Sequence, residues 1–480
     1  MRVLPATNGH CVLFGKGFRV TGVRRWLYGS TVAVSAVALM FVSTVPAQAC
    51  GDEVFGNPSS AAHAGHTGPR AEGVAATSAV KNVEQVANLP DATGATSVRF
   101  LKYGHKDVLF ISGRFGLKSY DVDNPRKPKL LSEVSLPGFW QGEDTEVDEK
   151  RKLVFLARDP RAYGGTTNTG ESGVYTIDAK RPDKLELISY VQVPAGHTTS
   201  CVNDCRYLWT GGPAKADNQP ADWGGRPIWV TDMKDPRKPK VFPNPIDLYR
   251  NDGKTDYAHD VQVDAMGIAW SSGRGGVRGY WTDGWHRDPV AGKFRKATAL
   301  DPVPYAGGGV SELTAPSKFM HNSYRPVGWR SKDGGDHERF GRTGDLIYAT
   351  EESFIQNSCA ADGILVIASL KGSYNGEGWR STPEKPFRLK TIGSWSVAGQ
   401  EGSIESDDCS AHYFDVQGNV LVQSFYAQGT RFLDISDPTN PRQIAYHRPG
   451  DGRSWYPMWH KGLVYVADNV RGVDILKLSR

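Results

Sequence analysis

One phrase, written three times along the chain, constrains the fold more than any other feature of the sequence. It reads Asp121-Val-Asp-Asn-Pro125-Arg-Lys-Pro128, Asp232-Met-Lys-Asp-Pro236-Arg-Lys-Pro239 and Asp434-Ile-Ser-Asp-Pro438-Thr-Asn-Pro441, with a worn copy at Asp178-Ala-Lys-Arg-Pro182. Proline cannot donate to a β-ladder, and an Asp carboxylate caps the backbone two residues on, so the phrase must be a turn between strands. A Gly and a short apolar run precede each copy, as in Gly116-Leu-Lys-Ser-Tyr-Asp121, and an earlier run such as Val108-Leu-Phe-Ile-Ser112 comes before that. A further run, Lys129 to Leu136 in the first unit, follows the turn.

Four short strands with alternating apolar positions make one antiparallel sheet that cannot bury both faces alone. Radial stacking of such sheets is the propeller solution. First strands begin near Ala95, Trp140, His197, Tyr257, His321, His412 and Tyr456, so the expected fold is an all-β propeller of seven four-stranded blades. The stretch 257–411 carries no good copy of the phrase, which leaves six to eight blades open. The last unit ends after its third strand, and Val83 to Pro90 reads like the outer strand it lacks. The N-terminal strand is therefore expected to close the last blade.

Phrases such as Gly429-Thr-Arg-Phe-Leu-Asp434-Ile-Ser-Asp-Pro438 resemble the LVIVD repeat of secreted bacterial β-propellers. The resemblance covers most of 95–250 and 412–480. It implies the fold and a location outside the cytoplasm, and it implies no particular reaction.

Residues 1–49 agree with export. They contain Arg2, Lys16, Arg19, Arg24 and Arg25 and no acid, then an uncharged run from Trp26 to Val45, then Ala47-Gln48-Ala49 as a cleavage pattern. We expect a signal peptide over 1–49, a flexible Ala/Gly/Ser tether over 50–81 and the propeller over 82–480. The pair Arg24-Arg25 is compatible with a twin-arginine signal, and an uncleaved signal segment would instead hold the chain at the membrane. The formal charge of +5 resides wholly in the leader. The remainder is neutral, which argues against a nucleic-acid partner.

Beyond Cys11 the cysteines are Cys50, Cys201, Cys205, Cys359 and Cys409. Two disulfides, Cys201–Cys205 and Cys359–Cys409, are the expected pairing of four, leaving Cys50 as a candidate for lipidation or a free thiol.

Histidine carries the most pointed chemical pattern. His197, His259, His321 and His412 each fall at the start of a first strand, the strand that lines a propeller channel. Converging imidazoles could hold Fe, Cu or Zn, as in other His-lined propellers that act as oxygenases or belong to the selenium-binding-protein group. His197 lies about two residues out of step with the others, and all four come from consecutive blades. The ordinary alternative is that they satisfy polar groups at the channel mouth. Glu143, Asp144 and Asp260 accompany the same rim, with Glu351-Glu352 and Asp407-Asp408 beyond it. Such carboxylates could bind Ca²⁺ or act as acid and base on a sugar. Serine-hydrolase, zincin and phosphate-loop motifs are absent. Trp223, Trp229, Trp281, Trp285, Trp329 and Trp379 lie in or beside the loop-rich blades, where aromatics can stack on sugars or anchor protein partners.

The sequence thus points to a secreted or lipid-anchored binding module at the cell surface, with a protein or glycan as partner. A metal-dependent oxidoreductase using the channel histidines is the alternative. A polysaccharide hydrolase or lyase using the rim carboxylates is a weaker third.

Overall fold

The computed structural model describes residues 77–136, 142–159, 172–212, 228–246, 258–273, 276–288, 291–305, 320–326, 346–352, 363–370, 389–404 and 409–479. Seven antiparallel sheets of four main strands follow one another along the chain. Blade 1 runs from Ala95–Tyr103 to Lys129–Ser135, blade 2 from Glu146–Asp148 to Glu186–Gln192, and blade 3 from Thr198–Val202 to Lys240–Val241. Blade 4 runs from Ala258–Val263 to Val303–Pro304, blade 5 from Met320–Tyr324 to Lys390–Trp395, and blade 6 from Phe414–Gln417 to Arg442–Arg448.

Blade 7 takes three strands from Ser454–His460, Leu463–Asp468 and Gly472–Leu478, and its outer strand is Val83–Leu89. The register runs from Val83 opposite Leu478 to Leu89 opposite Val473. The ring is therefore closed by the N-terminal strand, as expected.

Apolar clusters between consecutive blades hold the ring. Phe110, Leu117 and Leu156 join blade 1 to blade 2, and Phe155, Leu208 and Trp229 join blade 2 to blade 3. Trp209 and Ala269 join blades 3 and 4, while Trp270 and Ile347 join blades 4 and 5. Tyr348 and Phe414 continue into blade 6, Phe432 and Trp459 into blade 7, and Val98, Trp455 and Val473 return to blade 1. Removing a buried Phe or Trp from such a seam costs about 3–5 kcal/mol.

The repeated phrase folds as its chemistry requires. The carboxylates of Asp121, Asp178, Asp232 and Asp434 accept the N–H of Asp123, Lys180, Lys234 and Ser436 at 2.9, 3.0, 2.7 and 2.9 Å. Two of its Pro carbonyls also hook a blade to the one before. Ser119 of blade 1 donates to Pro182 O at 2.6 Å, and Ser189 of blade 2 to Pro236 O at 2.7 Å. Where a Gly opens a third strand, as at Gly116 and Gly472, it is needed for close approach. A Cβ on Gly116, whose φ is +114°, would lie 2.1 Å from Val134 O, and one on Gly472 would lie 2.0 Å from Leu89 O.

Two expectations need correction. The tether does not extend to residue 81, because Ala79–Lys81 pairs with Tyr446 to Arg448 as a fifth strand on blade 6. The first strand of blade 2 starts at Glu146, several residues after Trp140. The signal segment, Cys50, Cys359 and Asp407-Asp408 lie outside the described residues. Cys201 and Cys205 form the expected disulfide, and Cys409 is disulfide-bonded as well. Such bonds fit an oxidising compartment.

Candidate functional site

The channel site is built by a repeated break in the first strands. Register shifts fall at Thr96, His259, His321 and Trp455, each one residue into its strand. A bulge at this point re-aims one side chain out of the ladder. From the bulged Thr96 and His259, and from His412 just ahead of its own first strand, the side chain reaches the carbonyl of its counterpart in the next blade. Thr96 Oγ1 donates to Gly142 O at 2.7 Å, His259 Nδ1 to His321 O at 2.8 Å and His412 Nδ1 to Trp455 O at 2.8 Å. Thr198 Oγ1 donates to His259 O in the same way. By this ladder His197 stands one residue ahead of its counterparts, where two were expected. Its Nδ1 turns to Asp159 Oδ2 at 3.1 Å instead.

These bonds settle the tautomers. A carbonyl oxygen only accepts, so Nδ1 of His259 and of His412 carries the hydrogen and leaves the Nε2 lone pair pointing inward. The four rings form a continuous arc, with centroids 4.6 Å apart from His197 to His259, 4.3 Å to His321 and 3.9 Å to His412. All four Nε2 atoms face one point. Glu143 Oε2 lies 3.2 Å from His197 Nε2, 3.6 Å from His259, 3.3 Å from His321 and 4.0 Å from His412.

Glu352 borders the arc, 3.9 Å from His321 Nε2, and accepts a hydrogen bond from Tyr426 Oη. Tyr426 holds a left-handed backbone at φ +43°, a strained state for a buried tyrosine and one that clusters at functional sites.

Burial sets the charges. It pushes His259 and His321 down to about 3 and His412 well below the usual range, so all three are neutral. Burial opposes a charge on His197 too, but the carboxylates of Glu143 and Asp159 outweigh it and raise that imidazole to about 10. Glu143 is held ionised against its own burial, chiefly by cationic His197. Burial, with Glu143 adding repulsion, raises Glu352 to about 8 and keeps it protonated at neutral pH.

The donor set suits a first-row transition metal. Glu143 groups within ligand reach of His321 and His412 and of His197 and His259, and Glu352 groups with His259 and His321. Nε2 of His412 is fully buried and has no hydrogen-bond partner among the described residues. Neutral imidazoles with one carboxylate match Fe, Cu or Zn, whereas Ca²⁺ takes oxygen ligands.

Glu143, Asp144 and Asp260 are 3, 0 and 1% exposed, so they lie inside the channel wall and not on an open rim. Asp144 pairs with Arg99 and accepts from Gln262 Nε2 at 2.7 Å, and Asp260 accepts from the same nitrogen at 3.1 Å. Neither carboxylate reaches the histidines. Asp159 and Tyr426 escaped sequence reading. Asp159, Glu352 and Tyr426 all follow the ends of second strands, which antiparallel pairing brings beside the starts of first strands, and a scan of that position would have found them.

Fold and site together define a seven-bladed propeller with a four-histidine, one-carboxylate channel centre. No family model matches the chain. The methanethiol oxidase of Hyphomicrobium sp is 24% identical over 337 residues, covering 63% of this chain and 68% of that protein. Among solved structures, a periplasmic gluconolactonase of Pseudomonas aeruginosa aligns with a TM-score of 0.49 at 15% identity, over 79% of this chain and 90% of that one. The β-propeller domain of Cps50 (Swd1) of Myceliophteria thermophila aligns at 0.48 and 10%, over 83% and 99%.

Proposed function

We propose that this chain is an exported, LVIVD-type propeller that acts as a metal-dependent oxidoreductase, with His197, His259, His321 and His412 holding one transition-metal ion in the channel. The observation that carries the reading is the convergence of four Nε2 atoms within 4.0 Å of a single carboxylate oxygen. Such an ion would supply redox or Lewis-acid chemistry.

The chain's own residues have separable roles. The Nδ1 hydrogen bonds of His259 and His412 fix ring orientation, and Asp159 fixes His197. Glu143 balances charge at the centre and is placed to ligate. Glu352, protonated at neutral pH, holds a proton close to His321 Nε2. Complete burial of His321 and His412 excludes bulk water from that side.

The name of the curated relative makes a small thiol the first substrate class to test. Protein stripped by chelator and reloaded with Cu, Fe or Zn should consume methanethiol and O₂ with one of these ions, and His259→Ala should abolish turnover. Equal thiol consumption by stripped and reloaded protein would overturn the reading. A hydrolase or lyase is disfavoured, because the carboxylates it would use are buried against Arg99, Gln262 and the histidines. A role in surface binding finds its support elsewhere on the ring.

A further inference from the structure

Blade 4 carries a separate hairpin, Trp285–Arg287 paired with Phe294–Lys296, between its third and fourth strands. Trp285 stands opposite Lys296 and Arg287 opposite Phe294. Alternation therefore puts these four residues on one face and His286 and Arg295 on the other. The second face is anchored. His286 stacks on Trp281 with centroids 4.0 Å apart, and Arg295 binds Asp288 and Pro302 O, each at 2.7 Å.

The first face is inverted relative to ordinary packing. Trp285 and Phe294 are 69% and 66% exposed, the highest values among the described large apolar residues. They are diagonal neighbours across the hairpin, and the remaining positions of that face are Arg287 and Lys296. No carboxylate shares it. Exposed Met266 and Leu300 belong to turns at the same end of blade 4.

We propose that this hairpin docks the protein on an anionic phospholipid surface. Trp and Phe side chains settle at headgroup depth, and flanking Arg and Lys pair with lipid phosphates, so apolar burial and charge attraction act together. Charge complementarity favours this occupant, because the two positions that share the hairpin face with the aromatic pair are both cationic. The hairpin lies at the end of blade 4 opposite the start of its first strand, where His259 sits. Docking thus leaves the histidine end of the channel turned away from the bilayer. The contact is independent of the metal reading and would add to any acyl anchor at Cys50.

Flotation with vesicles tests it, using protein carrying Cys50→Ser in every sample so that no acyl chain there contributes. The protein should float with vesicles containing phosphatidylglycerol and much less with phosphatidylcholine alone, and added salt should weaken the binding. Trp285→Ser with Phe294→Ser should reduce it by about tenfold or more, given the loss of two interfacial aromatics. Arg287→Gln with Lys296→Gln should remove the preference for the anionic lipid. All four positions are exposed, so an unchanged Tm verifies the fold of each variant. Absence of flotation, or flotation indifferent to the aromatic substitutions, would overturn the proposal. So would concentration-dependent self-association that Trp285→Ser abolishes, which would make the occupant a second copy of this chain.

Discussion

Glu143 of blade 2 and His197 of blade 3 form an ion pair at 3.2 Å on the point that all four channel imidazoles share. The pair supplies, without an ion, the charge balance that a bound cation would otherwise provide. Replacing Glu143 by Gln forces His197 either to remain a buried cation without that partner or to surrender its proton. We expect Glu143→Gln to destabilise the metal-free protein by about 3 kcal/mol, within the range for breaking a buried pair. Urea unfolding at pH 7 measures this, and a loss below about 0.5 kcal/mol, typical of an exposed pair, would contradict it.

Metal uptake should strengthen as pH rises. His259 and His321, at about 3, are already neutral ligands at pH 6, but His197 at about 10 must lose a proton to ligate. Below pH 10 each ion bound therefore releases one proton from His197, and affinity should climb about tenfold per pH unit between 6 and 8. Titration in two buffers of different ionisation enthalpy counts that proton. Affinity that is flat over this interval would show that His197 does not ligate.

Ring closure depends on the strand Val83–Leu89. Deleting residues 80–92 removes its ladder with Gly472–Leu478 and the buried Leu89 and Ala92. With each net hydrogen bond near 1 kcal/mol and each buried apolar side chain near 2, the loss should reach about 5 kcal/mol. An unchanged melting temperature would rule out closure by this strand.

Gly116, which opens the third strand of blade 1, should tolerate no side chain. Gly116→Ala would press a methyl to 2.1 Å from Val134 O at a φ of +114°. We expect it to cost about 2 kcal/mol or more, since both strain and overpacking act there. Thermal unfolding of this variant beside an exposed Gly104→Ala control separates the crowding from the backbone effect, because Gly104, at φ +64°, has open space around it.

Cys409 is disulfide-bonded, and its expected partner is Cys359. Non-reducing peptide mapping should recover that link and the Cys201–Cys205 link. A bond from Cys409 to any other cysteine would revise the pairing.

What the sequence disclosed was what local chemistry enforces. Asp and Pro in Asp434-Ile-Ser-Asp-Pro438 can only turn the chain, so the repeat and the blades it punctuates were legible. His259, His321 and His412 were legible as channel residues because each falls at or just ahead of the start of a first strand. Their convergence was not, since it depends on bulges that aim the side chain and on carbonyls offered by the next blade. Asp159 and Glu352 reach the site through second strands, and Glu143 approaches from a blade without a histidine. Ala79–Lys81 read as tether because three residues carry no period, yet the free edge of blade 6 recruits them.

The central claim is that the channel holds one metal ion, and metal analysis of the purified protein tests it most directly. After exposure to Cu, Fe or Zn and removal of excess, the protein should retain close to one ion per chain, and His321→Ala, folded by its melting curve, should retain none. Protein that keeps no ion under any of these conditions, or a His321→Ala variant that keeps its ion, would contradict the account.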